Sequence, residues 1–142
     1  MTTARSVAVL MAAVLVASAL SGPPAFAAAD AHCDLQKDLL ITQSLGEPQS
    51  DGSSMYRVTV TNQCAGDERT GRPCVISRIR LQCGNFRSVI PVDPKVLRVV
   101  VPGVCLLNAG HSIPQDRNVS FVYTSYVREN LYVLSATCGL GR

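Results

Sequence analysis

The 142-residue chain has no tryptophan, only 5% aromatic residues and two histidines, His32 and His111. Without an indole it lacks the largest ring face on which a sugar or base could stack. Two histidines leave few players for metal binding or proton transfer. His32 adjoins Cys33, but no CxxC or HxxxH spacing accompanies it. His111 sits in the turn-like stretch Asn108-Ala109-Gly110-His111-Ser112, where an ordinary exposed side chain is expected. No G-x-S-x-G turn presents a serine nucleophile. Charged residues are 16% of the chain, and no two basic residues are adjacent. That removes a dibasic processing site and any arginine-rich run for tracking phosphates, and a formal net charge of +3 is too weak to imply nucleic acid. The one adjacent carboxylate pair, Asp67-Glu68, lies in a polar segment. A glycosidase needs one carboxyl buried and two held at a fixed separation, so a solubilising loop is the better reading.

A long apolar run is also missing. The longest, Val7 to Leu20, is fourteen residues, short of the roughly 20 that a bilayer-spanning helix requires. Arg5 precedes it, the breakers Gly22, Pro23 and Pro24 follow, and Ala25-Phe26-Ala27 supplies a small-residue cleavage pattern. This order predicts a secretory signal peptide over residues 1–27, cleaved after Ala27 or alternatively after Ala29. The expected product, residues 28–142, is a single secreted domain with a net charge of +2 and no membrane insertion once the leader is removed.

All six cysteines, Cys33, Cys64, Cys74, Cys83, Cys105 and Cys138, fall in that product. An even number in an exported chain predicts three disulfides, with fifteen pairings open. It also argues against the free thiol that a cysteine protease needs. The expected product alternates apolar and polar residues at period two, as strands do. Tyr56–Thr61 and Val75–Cys83 show this most clearly, the latter with Ile79, Leu81 and Cys83 on one face and Arg78, Arg80 and Gln82 on the other. Further strands are expected over 38–44, 87–92, 96–101, 120–127 and 131–137. Leu97–Val101 reads as a central strand covered on both sides, and 45–54 and 65–73 read as loops. The fold class is therefore all-β, an antiparallel β-sandwich of about seven strands, or a related barrel, stapled by disulfides. The aromatics Tyr56, Phe86, Phe121, Tyr123, Tyr126 and Tyr132 mostly fall in strands and are assigned to a core. Asn118-Val119-Ser120 is an N-glycosylation sequon. Arg78, Arg80, Arg87, Lys95 and Arg98 are candidates for a positive patch facing an acidic partner, against the plainer reading of a solvated sheet face.

Several segments recur together in a known order: Cys33 with Leu39-Leu40-Ile41-Thr42-Gln43, Tyr56 through Cys64, Cys83-Gly84-Asn85-Phe86-Arg87-Ser88, Cys105-Leu106-Leu107-Asn108-Ala109-Gly110, and Phe121-Val122-Tyr123. Taken as a set, they resemble the plant Tapetum determinant family from Cys33 to Cys138. The resemblance implies a secreted signalling ligand, active in the extracellular space or apoplast, that binds the leucine-rich-repeat ectodomain of a receptor kinase. It also implies a role in cell fate in anther, tapetum and ovule. Asn85 stands where the family often has an aromatic residue, and the segment from Cys64 to Cys74 is longer than usual, departures that bear on receptor choice.

The leading expectation is thus a receptor ligand without enzymatic activity, cofactor or metal. Two other classes stay open. A cell-wall or carbohydrate-binding module would use an exposed tyrosine. A secreted inhibitor or defence protein would present a rigid loop, for which 65–73 is the candidate.

Overall fold

The computed structural model describes residues 33–142, so the expected leader, its cleavage positions and His32 lie outside the described residues. A one-turn helix, α1 (Leu35–Asp38), enters through an N-cap in which the Asp34 carboxylate accepts from the Gln36 amide. Seven strands follow: β1 (Leu39–Pro48), β2 (Ser54–Asn62), β3 (Cys74–Gly84), β4 (Leu97–Val101), β5 (Gly103–Leu107), β6 (Asn118–Ser125) and β7 (Tyr132–Leu140). They form a three-stranded sheet in the order β1-β2-β6 and a four-stranded sheet in the order β4-β5-β3-β7. Every pairing is antiparallel. This is the sandwich that period-two alternation predicts.

The core lies between the sheets. Val58 and Val60 of β2 and Phe121 and Tyr123 of β6 are buried, as are Ile76, Ile79 and Leu81 of β3, Cys105 and Leu107 of β5, and Val133 of β7. Each fully buried aliphatic side chain stabilises the fold by about 1.5–3 kcal/mol relative to exposure. Ile76 and Ile79 are three positions apart yet both buried, which strict alternation forbids. A bulge resolves this: the β3–β7 register slips between Ser77 and Arg80, and Arg78 takes a left-handed φ of 52°. The inserted residue resets the phase, so both halves of β3 face inward.

Tyr123 anchors the end of the core. Its ring stacks on Tyr56 at 5.1 Å and meets Phe86 edge-on at 5.3 Å. Its hydroxyl donates to Gln43 Oε1 at 2.7 Å and accepts from the Glu129 amide at 2.9 Å. Asn62 closes the opposite end. Its side-chain amide donates to the carbonyls of Cys74 and Ile113, and its Oδ1 accepts from the Cys64 amide. One fully buried side chain thus joins the end of β2 to the start of β3 across the sandwich.

Three expectations need correction, and one strand is additional to those expected. Residues 87–92 form no strand, because Pro91 offers no donor and the backbone amides of Val89 and Ile90 turn to the carbonyl and hydroxyl of Thr124. The missing strand is β5, which pairs with β4 through the two-residue turn Pro102-Gly103, where Gly103 has φ 83°. β4 is an edge strand and not a central one; only Leu97 is buried, while Val99 and Val101 are 51% and 54% exposed. Of the expected loop over 45–54 only 49–53 is loop, since β1 runs on to Pro48 and β2 starts at Ser54.

Candidate functional site

The disulfides pair Cys33 with Cys138, Cys64 with Cys74 and Cys83 with Cys105. Four of the six cysteines lie within β3, β5 and β7, and none lies in the three-stranded sheet. Cys83–Cys105 fixes β3 to its neighbour β5, and Cys33–Cys138 ties the segment before α1 to β7. The four-stranded sheet is therefore the covalently braced half of the molecule.

Its outer face carries the charge. The thirty residues of β3, β4, β5 and β7 contain Arg78, Arg80 and Arg98 and no aspartate or glutamate. Register places Arg98 opposite Leu106, Leu106 opposite Arg80, and Arg80 opposite Ser135, so two arginines flank one leucine in a single transverse row. With strands about 4.8 Å apart, their Cα atoms are about 10 Å from each other, and both long side chains can reach toward a group resting on Leu106. The neighbouring row is Val101, Val104, Gln82 and Tyr132. Arg78, lifted on its bulge, joins Arg80, Leu106, Gly110, Ser135, Ala136 and Thr137 around an open groove of about 370 Å³. Among the described residues these arginines have no acidic partner within 4.0 Å; the sole ion pair is Arg69 with Asp67. Unneutralised arginines beside exposed valine, leucine and tyrosine suit a partner that offers carboxylates next to apolar groups.

Of the five basic residues expected to cluster, the structure unites Arg78, Arg80 and Arg98. Lys95 lies in the turn before β4, its amide held by the Asp93 carboxylate. Arg87 lies beyond the far end of β3, in the segment tethered to Thr124. Leu106, Gln82, Tyr132 and Ser135 belong to the same face but carry no signal in the sequence, because only cross-strand register brings them there.

The expected loop between Cys64 and Cys74 is a braced miniature hairpin. Asp67 bridges Arg72 through backbone pairing, and the Asp67 carboxylate accepts from the Arg69 amide at 2.9 Å. The Arg72 guanidinium donates to the carbonyls of Gly141 and Leu140. A Cβ at Gly66 would stand 2.4 Å from the Arg72 carbonyl oxygen, so only glycine fits. The Arg69 amide holds the Asp67 carboxyl below its ordinary value, the reverse of the elevation a general acid requires. His111 is exposed, and its amide donates to the Asn108 carbonyl.

Tyr126 and Tyr132 are exposed and not in the core, Tyr126 at 66%. They lie apart: Tyr132 belongs to the four-stranded face, and Tyr126 reaches toward Asp51 in the β1–β2 turn. Asn118 is the exposed first residue of β6, on the outer face of the other sheet, opposite Thr61. That face has Thr42, Thr59 and Ser120 in one row, Leu40, Thr61 and Asn118 in the next, and Ser44, the exposed Arg57 and Val122 in a third, with Glu47 beside Arg57 on one groove.

The described span also matches known proteins. The family model described as Tapetum determinant 1, C-terminal, matches residues 35–139. The chain is 38% identical over 109 residues to TPD1 protein homolog 1A of Oryza sativa subsp. japonica, covering 77% of this chain and 48% of that protein. It is 32% identical over 101 residues to TPD1 protein homolog 1 of Arabidopsis thaliana, covering 71% and 53%. The chain thus spans about half the length of the curated relatives it matches. No solved structure matches. From α1 to the last residues of β7 the match is continuous, and the chain belongs to the Tapetum determinant 1 family.

Proposed function

We propose that this protein is a secreted signalling ligand that binds the leucine-rich-repeat ectodomain of a receptor kinase and directs cell fate in plant reproductive tissue, without enzymatic activity of its own. The observation that carries this reading is the braced sheet with an unneutralised arginine and apolar face. A domain held by three disulfides loses little conformational freedom on docking, and repeat ectodomains offer broad concave surfaces. Family membership supports the same reading.

The test is saturable binding of the oxidised protein to a panel of immobilised receptor-kinase ectodomains, with reduced and alkylated protein as the control. Binding to one ectodomain that disappears on reduction supports the ligand reading. Absence of binding across the panel removes it.

One observation favours a second reading. The 65–73 hairpin is rigid, exposed and crosslinked at its base, as an inhibitor's presenting loop would be. Protease inhibition lost when Glu68-Arg69-Thr70 is replaced by glycine and serine would favour that role.

A further inference from the structure

We propose that the outer face of the four-stranded sheet, centred on Leu106 between Arg80 and Arg98, is the docking surface, and that it takes a carboxylate-bearing surface of a partner protein. The proposal deepens the ligand reading and, for the partner's identity as a receptor, rests on it.

Charge complementarity argues first. Three arginines stand on four strands that hold no acidic residue, and among the described residues none is neutralised within the domain. A guanidinium is more weakly hydrated than an ammonium and forms paired hydrogen bonds to a carboxylate, so it suits a desolvated contact. Apolar surface argues second. Val101, Tyr132 and Leu134 are exposed at the margins of the arginine row. A polyanionic sugar would gain little from these groups, whereas a protein surface would bury them.

The geometry of β4 favours docking onto the face over addition of a strand at the edge. Although β4 has a free edge, its register slips between Val99 and Val101, leaving a short regular stretch for a new strand to follow. The opposite sheet argues third. Its outer face holds a single arginine, Arg57, with Glu47 on the same groove, among rows of hydroxyls; it also carries the sequon Asn118, and a glycan there would obstruct a close-packed interface.

The test has two arms. In the first, the ¹⁵N-labelled, oxidised full chain is titrated with a polyglutamate peptide of about ten residues at low and moderate salt. Shifts concentrated on the Arg78, Arg80 and Arg98 Nε signals and the Leu106 and Ser135 amides, fading as salt rises, are expected. The double variant R80E/R98E, confirmed as folded by its amide spectrum, should lose at least about tenfold in affinity. Shifts spread evenly over all arginines, or centred elsewhere, overturn the proposal. Oligogalacturonate that binds the same signals as tightly overturns the commitment to a protein partner.

In the second arm, any ectodomain that binds the wild-type chain is tested against R80E/R98E and against T42E/T59E on the other sheet. Loss of at least about tenfold for the first pair alone is expected, and loss for the second pair alone overturns the proposal. Peptide binding at the arginine row with no ectodomain bound would sink the receptor reading and leave the acid-binding face standing.

Discussion

The two sheets of this sandwich are built from similar alternation and put to different use. The four-stranded sheet holds four cysteines and three arginines, with no acid. The three-stranded sheet has no cysteine, one arginine and one glutamate, and presents rows of threonine and serine. Its integrity comes from noncovalent groups: the Tyr56–Tyr123 stack, the Tyr123 hydroxyl network and the Asn62 clamp. The difference shows where rigidity has been placed. Crosslinks lie behind the face that carries three arginines and no acid, while the face that holds Arg57 and Glu47 relies on ordinary packing.

The sharpest way to break this contrast is to remove the longest crosslink. In the chain-entropy picture a disulfide stabilises in proportion to the logarithm of the loop it closes. Cys33–Cys138 spans 105 residues and Cys64–Cys74 spans 10. The variant C33S/C138S should therefore lose about 5 kcal/mol and C64S/C74S about 3 kcal/mol in denaturant unfolding. Equal losses would show that native contacts, and not loop length, set the difference.

The noncovalent clamp comes next. N62A removes three hydrogen bonds from a fully buried position and leaves the Cys74 and Ile113 carbonyls and the Cys64 amide with one partner fewer. A loss of about 3 kcal/mol is expected. Y123F should cost about 2 kcal/mol, since Gln43 and the Glu129 amide lose their shared hydroxyl. Both are readable as shifts in the urea midpoint.

Smaller effects separate the two faces. Arg78 occupies a left-handed conformation that glycine adopts without strain. R78G should therefore gain about 1 kcal/mol while weakening binding to the acidic peptide. A fall in stability would mean that the Arg78 side chain supports the bulge. T59V on the hydroxyl face should change stability by less than about 0.5 kcal/mol and leave peptide affinity unchanged.

The last prediction concerns pH. Hydrogen bonds from the Ser53 hydroxyl and amide hold the Asp51 carboxyl below its ordinary value of 3.8. A depressed carboxylate stabilises the fold above its unfolded-state value and loses that contribution as pH falls through the folded one. Protection of the Ser53 amide, its exchange rate relative to an unstructured peptide at the same pH, should therefore hold down to the ordinary carboxylate range and fall only below it. Protection already absent near neutral pH would show that the carboxylate does not hold the turn.

How much of this was legible in the sequence depends on what fixes each feature. β2 and most of β3 could be read because one side of each strand is covered and the pattern follows burial. The run Leu97–Val101 misled, because an apolar stretch looks the same whether a second layer covers it or an edge leaves it open. Residues 87–92 alternate like a strand, but Pro91 and the side chain of Thr124 redirect their hydrogen bonds. β5 is five residues long and was hidden by the glycine that starts it. Alternation alone put Arg78 and Arg80 on one face. Bringing in Arg98 required β5 to lie between, a matter of register that no local pattern records.

The Cys33–Cys138 bridge has a consequence for survival after damage. It turns everything between those two positions into a closed ring. A single backbone cut at any exposed turn inside it, such as Gln49 to Ser53, opens the ring but releases no fragment. The severed ends stay attached to one body, so a nicked molecule can keep its arginine face assembled and yields its separate fragments only after reduction.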